Sequence, residues 1–240
     1  MIHIQNLSVQ FGGVRALNNL SITLGAPIIG VIGPNGAGKT TLLNAFSGFV
    51  GLSNGSRIQA FGADLLGMTP HARARWGLRR SFQAEQVVDE LSVADNMRVM
   101  LDGAPMSAAL KQQALLRALH FVGLEAKALR LGGELNAFER RMVEIGRTLA
   151  GNPKIVLLDE PGGGLGTMET DALRDVILRI HAEFGAMTLL IDHDMDLISA
   201  TCSETMVLDF GTLIAHGPTA TVLADPKVKC AYLGDAEIVL

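Results

Sequence analysis

Residues 33–40 read Gly33-Pro34-Asn35-Gly36-Ala37-Gly38-Lys39-Thr40, with Thr41 directly behind. A glycine, four residues and then Gly-Lys-Thr is the spacing of a loop that cradles phosphate. Gly33, Gly36 and Gly38 tolerate positive φ and let main-chain N–H groups approach an anion. Lys39 would hold the β- and γ-phosphates of a nucleoside triphosphate, and the Thr40 hydroxyl a magnesium ion. Farther on, Asp159 and Glu160 close the apolar run Ile155-Val156-Leu157-Leu158. Magnesium-assisted phosphoryl transfer needs a carboxylate near the metal and a group that polarises water, and both converge at the ends of parallel strands. Asp159 is therefore expected in the magnesium shell and Glu160 as the general base. Gln83, read as the end of a short strand, suits a contact to magnesium or to the attacking water. His193 lies just beyond a second apolar run, Met187–Ile191, a position that suits a structural or solvent-facing histidine as well as a γ-phosphate contact. Phe11 fits either core packing or stacking on a base.

The elements that must position these groups follow from periodicity. The β-branched run Ile28–Ile32 leads into the glycine loop, and residues 40–46 leave it as a helix whose positive end faces the same anion. Residues 2–11 and 20–24 alternate apolar with polar and flank Gly12-Gly13, which predicts a strand pair. Arg57–Phe61 reads as a short strand. His71–Arg80 is the one basic cluster, expected as a solvated helix face with some phosphate or partner contacts. Residues 92–150 read as mainly helical. Ser92 with Asp95 forms a capping-box-like start, Ser107 caps residues 108–122, and Gly123 stops them. A further helix is expected from about Glu139 to Ala150. Ile155–Leu158 and Met187–Ile191 read as strands buried on both faces. Leu173, Val176, Ile177, Ile180 and Phe184 line one face of a helix ending at Gly185. A hairpin is expected around Gly211.

The chain of 240 residues, 48% of them hydrophobic, has room for one sizeable α/β domain with an inserted subdomain. A net charge of −4 argues against a nucleic-acid partner. Two cysteines, Cys202 and Cys230, fit a reducing compartment. The first residues lack the basic and apolar regions of a signal peptide, and no apolar run approaches the ~20 residues that span a bilayer. These features predict a cytoplasmic protein. A mean hydropathy of +0.31 is compatible with surface hidden against partners.

The order GPNGAGKT, RSFQ, a helical insertion, LLDEP and LLIDHDM resembles the ATP-binding-cassette ATPases over nearly the whole chain. The resemblance implies an α/β P-loop NTPase fold, with a RecA-like core, an antiparallel β subdomain and an inserted helical subdomain. It implies a single domain over 1–240, with a nucleotide-binding core at 1–83 and 151–240 and the helical subdomain at 84–150. It makes Gln83 the Q-loop glutamine, Asp159 the Walker B aspartate, Glu160 the catalytic glutamate, His193 the switch histidine and Phe11 the aromatic on adenine. The implied cofactors are ATP and Mg2+. Within the family, FGGVRALNNLSI, FSGFV, RSFQ and the tail DPKVKCAYLGDAE are similar to ATPase subunits of branched-chain amino acid importers, with urea and amide importers as close relatives. Such a subunit is expected at the inner face of the cell membrane, paired below two membrane permeases and served by a periplasmic solute-binding protein. Lipopolysaccharide-export ATPases share HARAR and a YLG-type tail, but the Phe82-Gln83 pair looks more like the importers. A regulatory, non-catalytic cassette is a further alternative.

One segment departs from the family. Where it has LSGGQ, this chain has Leu135-Asn136-Ala137-Phe138-Glu139. That motif contacts the γ-phosphate held by the opposite subunit, and Phe replaces a glycine that allows close main-chain approach. Residues 162–166 also end in Gly166, where Asp or Asn is usual. The resemblance therefore implies an ATPase partner of different sequence, carrying an intact signature.

Overall fold

A computed structural model describes residues 1–233. In chain order the elements are β1 (Ile2–Phe11), β2 (Val14–Leu24), β3 (Ile28–Ile32), α1 (Lys39–Ser47), β4 (Arg57–Ala60), β5 (Ala63–Asp64), α2 (Pro70–Trp76), β6 (Leu78–Arg80), α3 (Val93–Asp102), α4 (Ala108–Phe121), α5 (Ala137–Leu149), β7 (Ile155–Asp159), α6 (Thr167–Phe184), β8 (Met187–Ile191), α7 (Met195–Thr201), β9 (Glu204–Asp209), β10 (Thr212–Pro218), α8 (Thr219–Ala224) and α9 (Pro226–Leu233). Two compact units emerge, residues 1–74 with those from 189 onward, and residues 75–188.

In the first unit an antiparallel sheet has the order β2-β1-β4-β5. Ile2 lies opposite Leu24 on one side and Ala60 on the other. β1 buries Ile2 and Ile4, then Leu7 and Val9. The shift from even to odd positions is a bulge, made where Asn6 takes φ 50°. β2 begins at Val14, directly after the Gly12-Gly13 turn, six residues earlier than its alternation indicates. β3 is buried throughout and runs parallel to β9, with Ile29 opposite Glu204 and Ile32 opposite Val207. β9 and β10 form the expected hairpin, turning at Gly211 with φ 75°.

The basic cluster is not a solvated face throughout. Arg73 and Arg79 are buried. Arg73 donates to the Ala45 and Phe46 carbonyls, at 2.6 and 2.7 Å, in the last turn of α1. A helix end leaves such carbonyls without intrahelical partners, and the guanidinium supplies the donors together with the favoured charge. Burial lowers the Arg73 pKa, against the opposing pull of Asp64.

In the second unit β6 and β7 are parallel, with Arg80 opposite Leu157. Ser92 and Ser107 cap α3 and α4 as the sequence indicates, and Gly123 and Gly185 follow their helices with φ 72° and 68°. α5 begins at Ala137 rather than near Glu139, because Asn136 is its N-cap and Glu139 reaches back to the Asn136 N–H. α5 approaches α3 closely at Gly146, where an added Cβ would lie 2.5 Å from Met97 Cε. The unit holds β6, β7 and α6 besides the helices of residues 84–150, so its borders do not coincide with that expected segment. No helix among the described residues is long and apolar enough to cross a membrane. Gly234–Glu237 of the tail motif lie outside the described residues.

Candidate functional site

The first unit carries the glycine loop. It follows the buried β3 and opens α1, as the sequence indicates. Gly33, Gly36 and Gly38 have φ of 151°, 80° and 102°. Two of these positions also lack room for a side chain. A Cβ on Gly33 would lie 2.1 Å from the Leu208 carbonyl oxygen, and one on Gly38 2.5 Å from that of Ala16. The loop is tied by Ala37 N–H to the Pro34 carbonyl and by Gly211 N–H to the Ala37 carbonyl. Gly38 caps α1 without a side-chain hydrogen bond, and the start of a helix favours an anion. Lys39 is buried and lies across the loop, donating to the Gly33 and Pro34 carbonyls at 2.6 and 3.0 Å. Thr40 and Asn35 are exposed, and Thr41 is half-buried. A glycine loop with a lysine at the start of a helix fits a polyphosphate.

Phe11 ends β1 and is 52% exposed, so it is not packed into the core. His193 is exposed two residues beyond β8. Its backbone is fixed on both sides: the Asp194 N–H donates to Asp192 Oδ1 at 3.0 Å, and the Asp194 carboxylate caps α7 through the Asp196 and Leu197 N–H groups.

The second unit carries the carboxylates. β7 is buried at every residue, and Asp159 at its end is 1% exposed. Arg80 donates to Asp159 Oδ2 at 2.9 Å. Asp159 Oδ1 is buried with no hydrogen-bond partner among the described residues. A carboxylate oxygen in that position fits a hard divalent cation such as magnesium. Glu160 follows at φ 51°. A non-glycine residue there carries roughly 1–3 kcal/mol of strain, a feature that concentrates at functional sites. Gln83 Nε2 donates to Glu160 Oε2 at 2.9 Å, so these two candidate residues meet. The sequence placed Gln83 at a strand end, but β6 stops at Arg80. The segment is then held to β7 by Ser81, whose N–H donates to the Leu157 carbonyl and whose hydroxyl accepts from the Asp159 N–H. Gln83 is thus an exposed loop residue held two residues past that tie.

Arg80 is the group that sequence reasoning passed over, because it stood inside a cluster read as surface charge. Its alternation with the apolar Leu78 on a short strand was the available signal. The guanidinium also lies over the Phe82 ring, 5.0 Å from its centroid.

A family model described as ABC transporter matches residues 17–163. The high-affinity branched-chain amino acid transport ATP-binding protein BraF of Pseudomonas aeruginosa is 32% identical, over 98% of each chain. The lipopolysaccharide export system ATP-binding protein LptB of Escherichia coli K12 is 34% identical, over 96% of each chain. Among solved structures, the ADP conformation of MJ1267, an ATP-binding cassette of an ABC transporter, superposes with a TM-score of 0.86 at 28% identity, covering 98% of this chain and 99% of that one. With a family model over more than half its length and relatives matched nearly end to end, the chain belongs to the ABC transporter family, as one of its ATP-binding proteins.

Proposed function

We propose that the chain is the ATP-hydrolysing subunit of an importer that takes up branched-chain amino acids or related small solutes such as urea and amides. It works at the inner face of the cell membrane with two permease subunits and, through them, a periplasmic solute-binding protein. The loop from Gly33 to Thr41 binds the phosphates and Phe11 stacks on the base. Glu160 orients and deprotonates the attacking water, Gln83 steadies Glu160, and His193 contacts the γ-phosphate. Magnesium, when bound, neutralises charge on the transferring phosphoryl group, and Thr40, Asp159 and Gln83 would hold it. The observation that carries the hydrolytic reading is Glu160 itself, a carboxylate held at positive φ beside the buried Asp159 and bonded by Gln83. The solute class is supported by the match to BraF over 98% of both chains. Replacing Glu160 with Gln should abolish turnover while ATP still binds. Turnover near the unchanged rate would refute Glu160 as the base.

The comparable identity to LptB favours a second reading, an exporter ATPase. Co-purification with the permease subunits, followed by solute uptake into vesicles, separates the two.

We further infer that the partner ATPase is a different chain. At the start of α5 the Asn136 side chain is engaged by the Glu139 N–H, and the Glu139 carboxylate returns to the Asn136 N–H. Lys127 pairs with the same carboxylate, and its hydrogen bond holds the Glu139 pKa down. The Asn136 side chain and the Asn136 and Glu139 N–H groups are therefore engaged within the chain, which opposes their use on a phosphate held by another subunit.

A further inference from the structure

Between Ser81 and Leu91 the chain forms no helix or strand, yet several of its main-chain groups are taken by side chains from two helices. Glu144 of α5, fully buried, accepts the Gln86 N–H at 2.9 Å through Oε1. Arg147, one turn on, donates to the Gln86 carbonyl at 2.7 Å. Asn96 of α3, also buried, does the same for Val88, accepting its N–H at 2.8 Å and donating to its carbonyl at 3.0 Å. Arg140, on the same face of α5, pairs with Glu85 and Asp89. Residues 140, 144 and 147 fall on one helical stripe, so a single face of α5 grips the segment. Arg141 holds the second Glu144 oxygen at 2.8 Å.

An ordinary surface loop leaves such groups to water. Here a buried carboxylate is retained against its desolvation, which pushes the Glu144 pKa up, while the Gln86 N–H, Arg141 and Arg147 pull it down. Gln86 stands three positions after Gln83, so they lie within about 10 Å along the chain. Gln83 in turn donates to Glu160. α5 is itself locked to α3 at Gly146.

We propose that Glu144 and Arg147 are positioning residues: by clamping the Gln86 main chain from α5 they set where Gln83 stands relative to Glu160. The consequence for catalysis rests on the proposed role of Gln83, whereas the clamp itself does not. A shift of α5 then carries Gln83 with it, and turnover depends on a pair that never touches substrate.

The test compares Glu144→Gln with Glu144→Leu in the full chain. Gln keeps an oxygen that accepts the Gln86 N–H, and Leu removes the acceptor. Amide hydrogen exchange should rise about tenfold across residues 83–89 in the Leu variant, as expected for loss of a hydrogen bond to a charged group, with β7 unchanged. The Gln variant should recover most of this protection. In the same preparations the Leu variant should lose kcat severalfold while KM for ATP stays within about twofold, as for a residue acting outside nucleotide binding. Unchanged exchange at 83–89 would overturn the clamp. So would an equal rise in β7, or a Gln variant no better protected than the Leu variant. Gln83→Ala judges the other reading separately: if it leaves turnover intact, the proposed role of Gln83 fails, and the exchange data still decide the clamp.

Discussion

Asp159 is a buried carboxylate with one oxygen on Arg80 and the other without a partner among the described residues. Removing one member of such a pair leaves an uncompensated charge in the interior, at a cost of roughly 3–5 kcal/mol. Arg80→Met should therefore lower the unfolding free energy by about that amount in denaturant titrations made without nucleotide. Adding Asp159→Asn to it should return a large part of the loss, since the remaining amide carries no charge. If the double variant is as unstable as the single one, the guanidinium contributes through packing on Phe82 rather than through Asp159. The glycines show the same scale of constraint from the opposite side. Gly33 and Gly38 are fixed by carbonyl oxygens of distant residues, Leu208 and Ala16, as much as by their own φ. The sequence showed that glycine was needed in the loop, but not which neighbours require it.

At the scale of elements, the pairing proposed above makes the start of α5 the part this chain offers another subunit. Its capping box is local, so it can be rewritten locally. Asn136→Ser with Ala137→Gly and Phe138→Gly should raise turnover of the purified chain severalfold, measured as phosphate release. No gain would count against the view that this helix end limits activity. Two glycines in a first helical turn also weaken it by roughly 1–2 kcal/mol in total, so stability should be followed alongside. The elements differed in how legible they were. β3, β7 and β8 are short, largely apolar runs, and the sequence indicates the bounds of each to within a residue. Ser92 and Ser107 announced their helices because a hydroxyl cap acts within three residues. The sequence places the start of α5 two residues late, because the capping role of Asn136 shows only in its reciprocal bonds with Glu139. The sequence carries β6 on to Gln83, whereas it stops at Arg80, where its pairing with the distant β7 ends. The burial of Arg73 and Arg79 was hidden for the same reason: their surroundings are assembled only by the fold.

For the whole molecule, the phosphate loop, Asp159, Glu160 and His193 are all present, while the 135–139 segment departs from the family. The purified chain alone should hydrolyse ATP slowly, and a second, different ATPase subunit should restore turnover. Full activity of the isolated chain would exclude that dependence. The family and fold were readable because the diagnostic motifs are short and contiguous. The solute was not, because no residue described above is shaped to touch it.

Arg73 has a consequence for how nucleotide is received. Its guanidinium secures the last turn of α1, the end farthest from the glycine loop. A helix of nine residues would fray on its own. Anchored at its tail, it presents its leading N–H groups already in register. The ordering of this receptor is thus completed during folding, and an arriving anion does not have to supply it. A buried cation at the far end of the helix thereby supports the loop at its start.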